Sequence, residues 1–159
     1  LGVVSLNVTP VINKGTAMSN ITLEQASIIV DAALAKGREM NLKPLTFAVL
    51  DAGGHMVAFK REDKSSLMRG DIASGKAWGS LGMGTSTRTL GERAAGNPSF
   101  FSALSDLSGG KILTSPGGVL VKNTEGEIIG AVGASGDTGA NDEACVIVGI
   151  EAAGLNAVI

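Results

Sequence analysis

Two apolar runs joined by a short glycine-containing turn, between residues 45 and 59, restrict the fold more than any other part of the sequence. Residues 47–50 are typical of a mostly buried strand, and residues 56–59 are typical of its partner. The five residues between them, Asp51–His55, include two glycines that supply the positive φ needed for a tight reversal. The stretch therefore predicts an antiparallel β-hairpin with His55, the single histidine of the chain, at the exit of its turn.

Apolar residues that recur at helical spacing predict four helices. The first begins after Thr22, which has the spacing of a capping box with Gln25, and it ends before Pro44. The second contains mid-helix glycines, which are tolerable where another backbone or a ligand approaches closely, and Lys76 falls at the edge of its apolar stripe. The third lies within a long connection. The helices are expected over residues 23–40, 68–83, 99–107 and 139–154.

Three further strands are expected in the C-terminal half, over residues 112–114, 119–122 and 127–134. A corner at Ser115–Gly118 joins the first two of them, and a turn at Asn123–Gly126 joins the last two. Together with the hairpin they make an antiparallel sheet of about five strands, on which the helices pack. The 159 residues fit a single domain of the α/β (α+β) class.

Composition excludes several classes of partner. The net charge is -2, aromatic residues make up 3% of the chain, and Lys and Arg never cluster, so nucleic-acid binding is not expected. No apolar run approaches the roughly 20 residues that cross a bilayer, so no membrane partner is expected. Cys145 is the single cysteine, which rules out an intrachain disulfide and gives no sign of an oxidising compartment. A cytoplasmic location is the resulting expectation.

The first 17 residues are treated separately from the rest of the chain. They lack the basic stretch followed by an apolar one that marks a secretion signal, and Met18 is the expected natural start. Residues 1–17 are therefore expected to be a leader or an added segment, and residues 18–159 to be the domain. Within the first segment, Val3–Val8 is a candidate strand that adds to a sheet edge or to a neighbouring subunit.

Four segments resemble, in this order, the GlcG/HbpS-like family, which also includes the C-terminal domain of PduO-type proteins. They are VLDAGGHMVAFKRED, IASGKA, SPGGVLVKNTEGEIIGAVGASG and NDEACVIVGIEA. The resemblance implies a small α/β domain of profilin-like shape that assembles as a homo-oligomer. It also implies a small-molecule ligand, with haem as the candidate cofactor, because family members are linked with haem binding and in some cases haem degradation. Relatives accompany operons for glycolate, diols or aromatic acids.

His55 and Lys76 are the candidate catalytic residues, and each also has a purely structural explanation. Haem iron accepts His, Met, Cys or Tyr as axial ligands, and the chain has one His, one Cys and no Tyr. His55 is therefore an iron ligand, an acid–base group or a turn residue bonded to a carbonyl. Lys76 matches a lysine of the family pattern. If partly buried it would act as a base, a Schiff-base amine or an anion clamp, and if exposed it is a solvated cation.

Acidic residues and glycines supply the remaining candidates. Asp142 and Glu143, near the start of the last helix, stabilise the helix dipole, and the resemblance gives them a second role in a polar or metal-contacting site. Asp51 is expected to accept backbone N–H groups within its turn. The glycine-rich stretch 130–136 lacks the spacing of a phosphate-binding loop. The expected ligand-binding residues are Asp51, Gly53, Gly54, His55, Lys76, Pro116, Gly117 and Gly118, and the metal candidates are His55, Asp142 and Glu143.

Three functions are consistent with these residues, and we rank them in the following order. The first is an oligomeric protein, accessory to small-acid or diol catabolism, that binds a planar or anionic ligand such as haem. Its cleft would lie between the Asp51–His55 turn, the second helix and the Pro116–Gly118 corner. The second is an enzyme that uses Lys76 and the histidine on a small organic acid or carbonyl compound. The third is a structural accessory subunit that assembles through Val3–Val8 and the Phe100-Phe101 pair.

Overall fold

The computed structural model describes residues 19–159, which form a single domain of five helices and a five-stranded antiparallel sheet. The helices are α1 (Leu23–Glu39), α2 (Arg69–Met83), α3 (Thr87–Gly96), α4 (Pro98–Leu107) and α5 (Gly139–Ala152). The strands are β1 (Thr46–Asp51), β2 (Met56–Arg61), β3 (Gly118–Lys122), β4 (Ile128–Ser135) and β5 (Asn156–Val158). The expected α/β fold is therefore confirmed. The expectations for residues 1–17, including the strand over Val3–Val8, lie outside the described residues.

The sheet has the order β2-β1-β4-β3-β5, and every neighbouring pair of strands is antiparallel. Because side chains alternate between the two faces of a strand, each face builds its own core. Phe47 and Val49 belong to the larger core, with the buried sides of α1 and α5. Leu50 and Leu120 belong to the smaller core, where they meet Ala77 of α2. The sheet thus lies between two helical layers.

Hydrogen bonds at the helix starts confirm the capping signals of the sequence. The Thr22 hydroxyl accepts from the backbone N–H of Gln25 at 3.1 Å, and Gln25 Oε1 accepts from the backbone N–H of Thr22 at 3.0 Å. This reciprocal pair satisfies two donors that the first helical turn leaves free. At α4, Asn97 Oδ1 accepts from the backbone N–H of Phe100 at 3.4 Å, and Pro98 occupies the first turn.

Residues 112–114 do not form the expected strand. They are coil and pack against α2 and α3. A Cβ on Gly79 would lie 3.5 Å from the Leu113 carbonyl, and one on Gly91 would lie 2.5 Å from the Thr114 carbonyl. Packing on glycine-bearing helix faces therefore replaces strand pairing here. The edge position beside β3 is taken instead by β5, which pairs Val158 with Leu120.

The connection between α2 and β3 contains two helices, whereas the sequence predicts one. The unpredicted helix, α3, buries only Thr87 and Leu90, which is too sparse an apolar repeat to stand out. Its start carries a recognisable signal, because the Ser86 hydroxyl accepts from the backbone N–H of Thr89. Within residues 19–159, no helix has the length and apolar character needed to cross a membrane.

Candidate functional site

A groove of about 510 Å³ lies between the β1–β2 hairpin and α2. The hairpin contributes Leu50 and Met56, α2 contributes Ile72 and Trp78, and the coil Gly110–Leu113 forms a third wall. Small-molecule sites are concave, mostly apolar and usually about 300–1,000 Å³ in volume, so this groove fits the class. The charged residues in its lining are Asp71 and Lys111.

Asp51 organises the turn beside this groove. Its Oδ1 accepts from the backbone N–H groups of Gly53 and His55, both at 2.9 Å, and lies 3.2 Å from His55 Nδ1. The backbone N–H of His55 contributes most to holding the pKa of the Asp51 carboxyl below its usual value. Asp51 thus accepts the turn N–H groups as its position predicts, and it also orients the imidazole.

The two glycines of the turn have different roles. Gly54 takes the left-handed conformation, with φ of +82°, whereas Gly53 does not, so the expectation that both supply positive φ is wrong for Gly53. A Cβ on Gly53 would lie 2.9 Å from His55 Nδ1 and 3.3 Å from Asp51 Oδ1. Gly53 therefore leaves room for the contact between carboxylate and imidazole.

His55 is next to groove residues in sequence but is not itself part of the groove lining. Its neighbours in sequence, Gly54 and Met56, both line the groove, and its side chain is 82% exposed. Because Nδ1 faces Asp51, the opposite nitrogen, Nε2, is left without a partner among the described residues. This arrangement of a carboxylate behind a histidine is the one that orients imidazole ligands in metal sites.

Lys76 lies in a buried ion pair and does not line the groove. Its ammonium donates to the Ala134 carbonyl at 2.8 Å and to Asp142 Oδ2 at 3.1 Å, and the side chains of the pair are 3% and 1% exposed. Burial lowers the pKa of the Lys76 ammonium, and the charge of Asp142 opposes that shift. The geometry favours a structural role that joins α2 to α5, and the catalytic role of Lys76 stays a prediction.

The Pro116–Gly118 corner does not form the expected wall of the groove. It packs against the Lys76 pair instead, since a Cβ on Gly117 would lie 2.8 Å from Lys76 Nζ and 3.1 Å from Asp142 Cβ. Gly117 also has a φ of +121°. The coil Gly110–Leu113, which comes earlier in the chain, occupies the place predicted for the corner.

Asp142 and Glu143 are each paired with a cation from another helix. Glu143 Oε1 accepts from Arg88 Nε at 2.8 Å and from Arg88 Nη2 at 2.6 Å. Asp142 uses its second oxygen to accept from the backbone N–H of Asp137 at 3.0 Å. In the part of the chain that the structure describes, no group of three or more His, Cys, Asp and Glu side chains is placed to hold a metal ion. The metal candidates His55, Asp142 and Glu143 therefore do not form a three-ligand site.

Cys145 is fully buried in the larger core, as a lone cysteine on an apolar helix face predicts. Burial raises the pKa of its thiol from 9.0 to about 11, so the reactive thiolate is scarce at neutral pH. The pKa of this thiol is higher in the folded state than in the unfolded state. Its contribution to stability is therefore fully present below pH 9 and is lost as the pH rises towards 11.

We expect the Cys145 thiol to resist labelling by an aromatic disulfide reagent at pH 8 until the protein unfolds. The labelled fraction, measured against urea concentration, should follow the unfolding transition seen by circular dichroism. A fully denatured sample, in which one thiol per chain reacts at once, is the control. Rapid stoichiometric labelling of the native protein would contradict the burial of this side chain.

The predicted ligand-binding residues divide between two places. In the hairpin turn, Gly54 lines the groove but Asp51, Gly53 and His55 do not. Lys76 and the Pro116–Gly118 corner form or surround the buried ion pair. Among the groove residues, Met68 and Ile72 belong to the apolar stripe that helical periodicity reveals. The second helix is a wall of the groove, as predicted. The groove residues that the sequence did not identify individually as ligand-binding are Leu50, Met56, Asp71, Ser74, Gly75, Trp78, Gly110, Lys111 and Leu113.

Sequence comparisons relate the chain to one family. The model of a family described as haem degrading protein HbpS-like matches residues 21–151. A Citrobacter freundii relative, an uncharacterised 15.0 kDa protein in the dhaT-dhaS intergenic region, is 30% identical over 126 residues. The matched residues make up 79% of this chain and 87% of that relative.

Solved structures share the fold over nearly the whole described region. The protein ORFY of Klebsiella pneumoniae has a TM-score of 0.81 at 27% identity, covering 90% of this chain and 97% of that one. A complex of PduOC with haem has a TM-score of 0.79 at 22% identity, covering 88% and 99%. A double mutant of HbpS from Streptomyces reticuli has a TM-score of 0.76 at 24% identity, covering 92% and 96%.

Proposed function

The chain belongs to the HbpS-like family, and from that premise we propose that it binds haem in the groove beside the β1–β2 hairpin. The observation that carries the proposal is an apolar groove bounded by the hairpin whose turn holds His55, with Asp51 in contact with its ring. The family description and the haem complex of PduOC support it from outside this chain.

The groove has the chemistry that a porphyrin needs. Its walls are largely apolar side chains on α2 and the hairpin, and an apolar ring gains free energy by leaving water for such a surface. The indole of Trp78 gives the groove an aromatic surface, which favours stacking against a flat conjugated ring. A planar ligand therefore fits these walls better than a small polar metabolite would.

The iron ligand in this proposal is His55 Nε2. Axial ligands of haem iron in proteins are His, Met, Cys or Tyr, and Cys145 is buried in the core away from the groove. Asp51 holds Nδ1, which fixes the ring orientation and makes Nε2 a better donor to iron. Met56 and Met68, 48% and 64% exposed and both in the groove lining, are the other side chains there that could hold the iron.

Haemin titration tests the proposal. We expect the wild type to show a saturable shift of the Soret band, and His55→Ala to bind with about tenfold or more weaker affinity, a difference of about 1.4 kcal/mol. Asp51→Asn keeps an oxygen that accepts the turn N–H groups, so it isolates the loss of the charge behind the imidazole and should give an intermediate affinity.

Glu39→Gln, an exposed change at the end of α1, is the matched control and should titrate like the wild type. Circular dichroism of each variant checks that the fold is kept. Identical titrations for wild type and His55→Ala would exclude His55 as the iron ligand. A wild type without any saturable Soret shift would exclude haem as the ligand.

Assembly and physiological setting are further parts of the proposal. We propose a homo-oligomer, as the family resemblance implies. In support, α4 buries none of its residues in the single chain, and Phe100 and Leu107 are 49% and 85% exposed. Exposed apolar surface of this kind marks interaction sites. We also propose an accessory role in small-acid or diol catabolism, from the family association with such operons.

A further inference from the structure

Lys111 stands out among the groove residues because its charge faces an aromatic ring. Its ammonium lies 5.5 Å from the centroid of the Trp78 ring, within the range of a cation–π contact. No carboxylate within residues 19–159 forms a salt bridge with it. The groove thus holds an exposed cation over its aromatic surface.

The backbone at Lys111 packs closely against two glycines of α2. A Cβ on Gly75 would lie 3.0 Å from the Lys111 carbonyl and 3.1 Å from Leu113 Cδ1, and one on Gly79 would lie 3.5 Å from the Leu113 carbonyl. Gly75 and Gly79 are four residues apart, so they share one helix face. This packing fixes the position of the Lys111 backbone. From there the Lys111 side chain reaches Trp78, which is next to Gly79 in sequence.

We propose that Lys111 binds a carboxylate of the ligand and so selects planar apolar molecules that carry an acidic group. The inference rests on the proposed function and deepens it, because it assigns the polar end of the ligand. The ring of such a molecule would contact the apolar side chains of the groove, and its carboxylate would pair with the Lys111 ammonium. The other charged residue of the lining, Asp71, repels a carboxylate, so the acidic group of the ligand should not bind next to Asp71.

The test uses iron-free protoporphyrin IX, which carries two carboxylates, and its dimethyl ester, which carries none. Without iron, the axial contribution of His55 is removed and only the groove and its charges act. Binding is followed by quenching of Trp78, the single tryptophan of the chain, under identical solvent conditions for both ligands.

We expect Lys111→Met to weaken binding of the diacid by roughly three- to tenfold, the size of one partly exposed charged contact. Binding of the ester should change by less than about twofold, because methionine keeps the apolar stem. Lys111→Arg should retain most of the diacid affinity. Asp71→Asn should leave the ester unaffected and should not weaken the diacid, since it removes a repulsion.

The outcomes separate this inference from the proposed function. If wild type and Lys111→Met bind both porphyrins with unchanged affinities, the groove binds porphyrin but Lys111 does not select the carboxylate. Equal weakening of diacid and ester by Lys111→Met would show that Lys111 acts on the shape of the groove, and this also overturns the inference. If neither porphyrin binds the folded wild type, the groove does not hold the ring and this inference falls, whereas the haemin titration decides the proposed function.

Discussion

Replacing Asp142 with Ala is expected to lower the free energy of unfolding by about 3–5 kcal/mol, because the ammonium of Lys76 would remain buried without its counter-charge. Both side chains are nearly inaccessible to water, at 3% and 1% exposure. The Ala134 carbonyl would be the remaining acceptor at 2.8 Å, and a carbonyl does not neutralise a charge. Urea denaturation followed by circular dichroism measures the loss.

Three further variants assign this loss to the charge. Asp142→Asn keeps an oxygen for the backbone N–H of Asp137 and removes only the charge, so it should be nearly as destabilising as Ala. Lys76→Met combined with Asp142→Leu removes both charges and should recover most of the stability. Asp31→Ala breaks the exposed pair with Lys60 and should cost less than about 1 kcal/mol. A loss below about 1 kcal/mol for Asp142→Ala would contradict the importance of the buried pair.

Gly133→Ala is expected to destabilise the domain by more than about 3 kcal/mol, at or above the usual upper range for overpacked cores. The added Cβ would overlap the Ala73 carbonyl and lie 2.8 Å from the Ala77 backbone nitrogen. Both contacts are with helix backbone, which cannot rotate away as a side chain can. To make room, α2 would have to move off the sheet, and the groove would change with it.

Gly82→Ala, on the helix α2 that packs against Gly133, is the control. Its Cβ would have no neighbour closer than 3.7 Å, so the substitution should raise stability by about 0.5–1 kcal/mol through helix propensity. Thermal unfolding of the two variants beside the wild type distinguishes them. A Gly133→Ala protein as stable as the wild type would show that α2 does not approach β4 as closely as described.

The fold is predictable from sequence wherever a local pattern determines it. The capping pair Thr22 and Gln25, the Asp51–His55 turn and the cap at Asn97 each depend on residues a few positions apart, and each forms where predicted, although Gly53 lacks the expected positive φ. By contrast, residues 112–114 have the apolar character of a strand but contact helices instead. The helix contacts depend on Gly79 of α2 and Gly91 of α3, which are distant in sequence, and no local pattern contains that information.

The candidate site is less predictable, because three distant segments build it. The hairpin and the apolar stripe of α2 are both predictable from the sequence, and both line the groove. Lys111 and Leu113 line the groove because their backbone can pack closely against Gly75 and Gly79, which have no side chain in the way. Lys76 shows the reverse case. Its place at the edge of an apolar stripe is compatible with exposure, and its burial depends on Asp142, which lies on another helix.

The topology also has a consequence for how the chain is made. The first and last helices pack together, since a Cβ on Gly149 would lie 2.5 Å from the Ile29 carbonyl, and the central strand pair joins Asp51 to Gly130. Long-range pairings of this kind are slow because a large loop must close first. A chain emerging from the ribosome can form α1 and the hairpin early, but their apolar side stays uncovered until the C-terminal third is synthesised. Ribosome-bound intermediates should therefore depend on chaperones until α5 has left the exit tunnel.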